Sequence, residues 1–517
     1  MQSLGFRTSR AGKFAGGCVF LLAMASTGAS AQSVFSGILE RPPVFGPTGP
    51  GTTEGTPAPL IDTRDFSISP LVGLQETITD NALLTPTNKK FDLITRPMLG
   101  AEVNVRGPFT ASVIGHAYYD AYASQSQLSG LSGDALANAN YSVISDFLAI
   151  DADAMLMNGS ISTFGTPAIN RVGPNNQITI ATYNIGPHLT TTLDDFADVD
   201  VVGRFAQVYF DDPNASTAAL PDNSSFLAGA AAIDTKERFL GYQLVTNAQV
   251  ERDDRDFEAY NAQQTAFIRI FPELRLIGRG GYDYVVQPGI VDIRKTMWSG
   301  GAEYIFGVNP DGQNSTISVE YGERFGHAAW RGEVHLQLDQ QLFAEGRYFE
   351  TIQPYQLQLN SAFYNSSLAA TQLPAILGTT QFRINGNIDN QTSLNKQGEL
   401  ALVYAWETQS VGLRGTWNDR MFLPSNLHDR SLVSSIDYQR RIAPDLAFAA
   451  SVDYYHTFAN PFFGPSESYG GRAGLQYDIN STMRAAGGYA YQRQVQLFAN
   501  GESITENVLY AAISKRF

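Results

Sequence analysis

The chain of 517 residues has a formal net charge of -15 and a single cysteine, Cys18. A strongly acidic chain without a basic block is a poor nucleic-acid binder, because neutralising phosphates requires clustered Lys and Arg. Charged residues make up only 16% of the chain, whereas Phe (31) and Tyr (24) are plentiful. This composition favours a wall that is apolar outside and polar inside over an ordinary soluble surface.

Residues 1–31 are predicted to be a signal peptide. Basic residues come first: Arg7, Arg10 and Lys13. An apolar run over 14–25 follows, and Ala29-Ser30-Ala31 supplies the small residues needed for cleavage before Gln32. A short membrane anchor is the alternative, but the run is well below the roughly 20 residues of a spanning helix. Cys18 lies in this segment, so we expect an exported chain without disulfides or thiolate metal sites.

Residues 32–65 form a leader rich in Pro and Gly, including Pro42-Pro43 and the run from Gly46 to Gly51. Such a composition is typical of an extended or disordered spacer in the periplasm. A docking strap for a periplasmic partner is the alternative.

From residue 66 to residue 517, polar and apolar residues alternate with a period of two. The pattern is clearest over 315–338, where Ile317, Val319 and Tyr321 share one face of the first strand. Ser318 and Glu320 share the other face. One hairpin of this kind fits either a soluble sandwich or a membrane barrel, so the number of repeats decides between them.

The alternation predicts about 22 strands, with roughly 18 to 24 as alternatives. We place them at 66–80, 91–105, 109–123, 136–143, 147–160, 179–189, 198–211, 226–234, 238–251, 261–269, 274–284, 296–306, 315–325, 328–338, 341–349, 395–406, 410–422, 430–440, 446–456, 469–478, 483–495 and 506–517. No other segment has the roughly 18 uninterrupted apolar residues of a membrane-spanning helix.

The connections between these strands alternate between short and long. One set is mostly short, as at Arg106-Gly107-Pro108, and the other includes the long insertion 353–394. No linker divides residues 66–517 into soluble domains. We therefore predict an all-β fold, a transmembrane antiparallel up-and-down barrel in the outer membrane of a Gram-negative bacterium. The insertion has few charges, so it is either an infolded constriction or lid, or a plain surface loop.

Aromatic residues recur near strand ends on the predicted outer face, as expected at the headgroup level of a bilayer. Examples are Trp298, Tyr304, Trp330, Tyr404, Trp406, Trp417, Tyr489 and Tyr491. The final strand ends at Phe517 and resembles the terminal signal read by the barrel-insertion machinery, although Lys515 departs from its usual apolar residue.

Several runs resemble the outer-membrane β-barrel porin family that includes barrels encoded with exosortase and exopolysaccharide systems. They are Ser69-Pro70-Leu71, the run from Glu76 to Asn81, the run from Asp92 to Pro97, Trp298 with Gly301 to Tyr304, and the run from Glu320 to Phe325. The resemblance covers most of the chain after residue 65. It implies a porin-like barrel without a catalytic motif, and envelope polysaccharide as a possible partner.

No motif for catalysis or cofactor binding is present. The six histidines do not form HExxH, and GxSxG elbows, Walker loops and GxGxxG turns before a helix are missing. Carboxylates cluster around 194–200 and at Asp253, Asp254 and Asp256. We interpret these clusters as loop carboxylates that are exposed to water. The alternative is that they bind divalent cations, which would bridge the protein to lipopolysaccharide. The sequence predicts no enzyme, no cofactor and no metal site.

A set of charged residues alternates toward the predicted interior and is the candidate pore lining. Its members are Arg275, Arg279, Glu303, Glu320, Arg331, Glu333, His335, Glu345, Arg347 and Arg414. Facing rows of opposite charge would set a transverse field and a selectivity. The same residues could instead form a structural charge ladder between adjacent strands.

The resulting interpretation is a porin-like channel, or an outer port for solutes or polysaccharide, in contact with lipid and lipopolysaccharide. Two alternatives stay open. One is a barrel with a blocked lumen that serves a structural or adhesive role, and the other is an outer-membrane hydrolase.

Overall fold

The structure of the protein is a computed structural model that describes residues 61–62, 65–160, 177–194, 196–211, 222–235, 242–308, 314–337, 341–360, 391–406, 408–461, 464–497 and 501–517. The predicted signal peptide, most of the leader and residues 361–390 of the long insertion lie outside the described residues.

The described residues form strands almost throughout. In chain order these are β1 (Ile61–Asp62), β2 (Phe66–Thr79), β3 (Asp92–Val105), β4 (Phe109–Tyr122), β5 (Gly130–Ile144), β6 (Leu148–Ser160), β7 (Gln177–Leu193), β8 (Ala197–Asp211), β9 (Ser224–Asp234), β10 (Tyr242–Asp253), β11 (Glu258–Phe271), β12 (Leu274–Gln287), β13 (Val291–Val308), β14 (Asn314–Arg324), β15 (His327–Gln337), β16 (Leu342–Pro354), β17 (Thr392–Ala405), β18 (Gln409–Phe422), β19 (Leu427–Ala443), β20 (Leu446–Ala459), β21 (Ser466–Asp478), β22 (Met483–Gln496) and β23 (Ser503–Arg516). A 3-10 turn covers Ser126–Leu128, and residues 355–360 are helical. No described helix has the length and apolar character needed to cross a membrane.

Strands β2 to β23 close into one antiparallel barrel. Each pairs with its neighbours in the chain, and β2 pairs with both β3 and β23. At the seam, Leu71 lies opposite Arg516, and the backbone N–H of Phe517 donates to the carbonyl of Pro70 at 2.9 Å. The short β1 pairs with β2 alone. The predicted 22-strand antiparallel barrel is therefore confirmed.

The two faces of the sheet differ in the way the alternation predicts. On β12, Leu276 and Tyr282 are 43% and 44% exposed, whereas the neighbouring Ile277 and Asp283 are 5% and 1% exposed. Because the sheet is closed, the first pair lies on the exterior and the second pair faces the interior. Other large apolar side chains on the exterior are Val319, Trp330, Leu400, Leu413, Ile436 and Leu509. The exterior is thus apolar and unburied, the reverse of a soluble core.

The barrel has two different rims. The terminal rim holds the start of β2, the end of β3, the C-terminus, and short turns such as 106–108, 272–273 and 444–445. The loop rim carries the longer connections, among them 80–91, 161–176, 212–223 and 355–391. Some connections at the loop rim are also tight, and at one of them Phe325 and Gly326 both adopt positive φ, 54° and 83°, between β14 and β15. Two such residues fit a two-residue hairpin turn, as the sequence predicted at this position.

Strand order was predicted correctly, but several strands are longer than predicted. The stretch 285–295 was predicted as a loop, yet β12 continues to Gln287 and β13 begins at Val291. The hairpin closes at Gly289, whose φ of 76° suits a tight turn. Likewise β5 begins at Gly130 rather than at 136, because its first residues are small and give a weak alternation signal.

Adjacent glycines on β13 give a test of interior packing. A Cβ at Gly301 would overlap the carbonyl of Val319 and lie 2.8 Å from the Cα of Glu320, whereas a Cβ at Gly300 meets nothing within 4 Å. We expect Gly301→Ala to reduce the free energy of unfolding by about 1–3 kcal/mol, because the sheet must shift. Gly300→Ala is the matched control and should leave it unchanged. Urea titration with heat-modifiable gel migration measures both; equal stability of the two variants would contradict the packing described.

Candidate functional site

The interior of β12 to β14 holds two groups of ion pairs among the predicted pore-lining residues. Arg275 pairs with Glu303, directly opposite on β13, and donates to the side chain of Gln243 at 3.0 Å. The guanidinium of Arg279 donates to both carboxylate oxygens of Glu320, at 3.0 and 2.9 Å. Such bidentate contacts fix the geometry of both partners.

The second group continues onto β15, and a further pair joins β16 and β17. Arg331 lies 4.0 Å from Glu320 and donates to Glu333 at 2.8 Å. Arg347 donates to Glu399 at 2.7 Å. Glu399 was not among the predicted residues. Its side chain alternates inward as theirs do, so the same pattern could have identified it.

The remaining predicted residues lie on the same interior face. His335 lies opposite Glu345, and its ring contacts that of Phe343 edge-on at 5.4 Å. Arg414 lies on β18 opposite Ser435, away from the contacts of β12 to β17. The described contacts are those of a cross-strand charge ladder, the second of the two interpretations. A pore-lining role for these ten residues stays a prediction.

The opposite wall, formed by β3 to β8, carries charged residues that the sequence analysis did not select. Arg96 contacts the carboxylate of Asp120 at 2.6 and 2.9 Å and lies 4.5 Å from the ring of Tyr118. His116 lies 3.0 Å from Asp134 on the neighbouring strand. This wall differs from the ladder because histidines are among the main partners of its acidic residues.

His188 occupies the centre of a cluster on β6, β7 and β8. Its Nδ1 lies 3.0 Å from Asp151 and its Nε2 lies 3.2 Å from Asp200. Asp200 was predicted to be solvated turn charge. That prediction is wrong, because the side chain of Asp200, on the strand predicted over 198–211, faces the interior and lies beside His188.

In the acidic turn between β10 and β11, the carboxylates of Asp253 and Asp254 accept hydrogen bonds from neighbouring protein groups. Asp253 accepts the backbone N–H groups of Arg255 and Phe257, at 2.8 and 2.9 Å. Asp254 accepts from the hydroxyls of Ser224 and Ser225, at 3.0 and 2.9 Å. Across the described ranges, no group of three or more His, Cys, Asp or Glu side chains is arranged to hold a metal ion.

The start of the long insertion enters the barrel. Residues 353–360, which we call the inner segment, comprise the last two residues of β16 and the helical turn that follows them. Asn360 donates to the hydroxyl of Thr182 on β7 at 2.7 Å. Gln353 donates to the carboxylate of Glu251 on β10 at 3.1 and 3.0 Å. Eight strands, β8 to β15, lie between β7 and β16 along the shorter way around the 22-strand barrel, so this segment crosses the interior.

Further polar contacts fix the middle of the inner segment. Arg255 donates to the side chain of Gln356 at 2.5 Å, and Gln356 donates to the carbonyl of Asp222 at 3.3 Å. Gln358 donates to the hydroxyl of Ser393 at 3.1 Å. The polar side chains of the segment are therefore bonded to loops and strands around the loop rim.

The apolar side chains of the inner segment are buried. Tyr355, Leu357 and Leu359 are at most 3% exposed and belong to one hydrophobic cluster with residues of the loop-rim ends of β7, β8 and β9. Those residues are Ile178, Ile180, Val208, Phe210 and Phe226. The insertion thus starts as an infolded element with an apolar anchor, which alternation on the strands could not reveal. Its part over 361–390 lies outside the described residues.

Comparison with known proteins adds little to this geometry. No protein family matches the sequence, and no curated protein matches it. The resemblance to the exosortase-associated barrel family therefore stays a prediction.

Solved structures show distant similarity to the barrel. A mutant of the ferric enterobactin receptor from Pseudomonas aeruginosa, in complex with enterobactin, shares 10% identity with a TM-score of 0.46, over 87% of this chain and 81% of that one. The copper transporter OprC shares 11% identity with a TM-score of 0.43, over 88% and 80%. OccAB3 from Acinetobacter baumannii shares 9% with a TM-score of 0.35, over 87% and 99%. At these values we draw no argument about function.

The pair of Arg279 and Glu320 should contribute to stability because both side chains are little exposed, at 8% and 4%. Removing one partner leaves the other charge without its counter-ion, so we expect Glu320→Gln to lower the free energy of unfolding by about 3–5 kcal/mol. Urea unfolding of the purified barrel measures this.

The matched control is Asp292→Asn, which removes an exterior ion pair with Arg294 whose side chains are 64% and 55% exposed. Its expected cost is about 0–1 kcal/mol. A loss for Glu320→Gln no larger than for this control would contradict a stabilising role for the interior pair.

Proposed function

We propose that the protein is an integral outer-membrane channel through whose interior solutes pass. The observation that carries this proposal is the inverted polarity of a closed sheet, with exposed apolar side chains outside and ion pairs inside. An apolar exterior is stable when lipid surrounds it, because burial in the bilayer removes it from water. The charged interior suits water and polar solutes.

The orientation follows from the two rims. Short periplasmic turns and long external loops are the usual arrangement of such barrels, so the terminal rim faces the periplasm and the loop rim faces the cell exterior. The predicted signal peptide supports export, and Phe517 supports recognition by the insertion machinery. A role as the outer port for an exopolysaccharide rests on the sequence resemblance alone.

The mechanism is physical rather than chemical, and we propose no catalytic step. Pore width, wall charge and occlusion by the inner segment select what passes. On the wall formed by β12 to β17, the arginines and glutamates of the ion-pair ladder largely cancel each other's charge. The opposite wall, formed by β3 to β8, has an excess of acidic residues, so selectivity between cations and anions should arise there.

A second candidate function is a barrel with a blocked interior that serves a structural role. The buried cluster of the inner segment favours it, because apolar side chains fill part of the loop-rim end of the interior. Barrels of 22 strands are known to hold a plugged lumen. Conductance distinguishes an open channel from a blocked barrel.

Removing the inner segment should widen the channel. We expect a variant in which residues 355–390 are replaced by a short Gly-Ser linker to raise the single-channel conductance about twofold or more, because the cross-section near the loop rim increases. The control inserts the same linker at Gly289, in a tight turn of the same rim. Unchanged conductance after the deletion would exclude a constriction, and conductance in the deletion variant but not in the control would favour the barrel blocked by the inner segment.

The acidic wall should give a preference for cations. Asp151 and Asp153 lie on the interior face of β6, opposite Gly186 and Asn184. We expect their double replacement by Asn to move the reversal potential in a salt gradient toward zero, because fewer fixed negative charges attract cations. Asp292→Asn on the exterior is the control. An anion preference in the natural protein, or equal shifts in both variants, would contradict the proposal.

A further inference from the structure

A row of four charged residues crosses neighbouring strands on the exterior of the barrel. Glu350 of β16 lies opposite Lys396 of β17, Lys396 lies opposite Asp419 of β18, and Asp419 lies opposite Arg430 of β19. They share the exterior face with Leu400, which is 52% exposed. We call these four residues the charged row.

The acidic members of the row are covered and the basic members reach outward. The ammonium of Lys396 lies 3.7 Å from Glu350, and their side chains are 30% and 3% exposed. Arg430 donates to Asp419 at 3.0 Å, and its side chain is 47% exposed against 11% for Asp419. His428, next to Arg430, lies 2.7 Å from the same carboxylate and is 35% exposed. The carboxylates therefore hold the cations in place, and the accessible surface of the row is cationic.

This layering is not a general property of the exterior ion pairs at the loop rim. Asp292 and Arg294 on β13 are 64% and 55% exposed, so that pair presents both charges to the surroundings equally. In the charged row the carboxylate of Glu350 also contacts His327 of β15 at 2.8 Å, so it is covered by two basic partners. The difference in exposure leaves the basic groups able to meet an anion.

Two aromatic rings lie directly below the row, one step along the same face toward the terminal rim. Tyr348 and Trp417 flank Gly398, and their rings stack with centroids 6.3 Å apart at 23°. The hydroxyl of Tyr348 donates to Glu350 at 3.3 Å. Stacked rings with one polar tip favour the boundary between headgroups and hydrocarbon. Cationic groups just beyond that boundary are at the depth of headgroup phosphates.

The height of the row agrees with this placement. The strand pair rises from Leu342 opposite Tyr404, near the terminal rim, to Glu350 opposite Lys396. Eight residue steps of about 3.4 Å, tilted by about 40°, rise about 21 Å, close to the apolar band of about 25 Å in such barrels.

We propose that Lys396, His428 and Arg430 form a binding site for the phosphate of an anionic lipid headgroup in the leaflet around the loop rim. Three cationic or hydrogen-bonding groups, one on β17 and two on β19 with β18 between them, suit the several oxygens of a phosphate. The proposal rests on the membrane placement of the proposed function but not on conduction through the interior.

The test uses the full barrel in nanodiscs that contain lipid A and phosphatidylcholine, followed by transfer to detergent and native mass spectrometry of retained lipid. We expect the natural protein to retain lipid A. The Lys396→Gln/Arg430→Gln variant should retain at least about a hundredfold less, because each of the two lost charge-assisted bonds is worth about tenfold or more in affinity. The control Arg294→Gln removes an exterior charge at the same rim and should retain lipid A normally.

Three outcomes would overturn the site. They are equal retention by the double variant and the natural barrel, retention of phosphatidylcholine as strong as that of lipid A, and displacement of the lipid by inorganic phosphate at millimolar concentration, which would assign the row to free phosphate. Heat-modifiable migration verifies that the double variant is folded. Normal conductance with no lipid retention would reject this site and keep the channel, whereas failure to enter a bilayer would reject both.

Discussion

The structure depends on the closed hydrogen-bond ladder between β2 and β23. A sheet of this length has two edges unless its first and last strands pair, and unpaired backbone groups are costly wherever water is excluded. Closure at the seam removes both edges. It also fixes which face of every strand is inside, because successive side chains alternate and no strand can change face without breaking the register of its neighbours.

Closure has a second effect, which is to gather charges into a confined interior. Burying a charge without a partner is unfavourable. The charged side chains of the interior have different kinds of partner on its two walls. On β12 to β17, arginines and glutamates on adjacent strands pair directly, as Arg279 and Glu320 do. On β4 to β8, aspartates contact histidines, as at His188. Near the loop rim the inner segment replaces charge with an apolar cluster. The interior is therefore uneven in charge around its circumference and along its axis.

The number and order of the strands and the inward position of ten charged residues could be predicted from the sequence, because a period of two is a local property. Pairing could not, since it depends on the register between strands: Arg347 bonds Glu399 through the pairing of β16 with β17, 52 residues apart in the chain. Strand ends were predicted wrongly where the alternation is weak, as at Gly130. Asp200 was wrongly predicted to be solvated, because a carboxylate near a predicted turn is usually exposed to water. The infolding of Leu357 and Leu359 depends on residues more than a hundred positions away.

The continuity between β16 and the inner segment has a mechanical consequence. Pro354, the last residue of β16, is paired with Thr392, and the helical turn begins at the next residue. Because no flexible spacer joins the helical turn to β16, the turn cannot move out of the interior while the strand stays paired. To withdraw from the interior, the turn must break the pairing at the loop-rim end of β16 and β17, so movement of the inner segment and fraying of this strand pair form a single cooperative event.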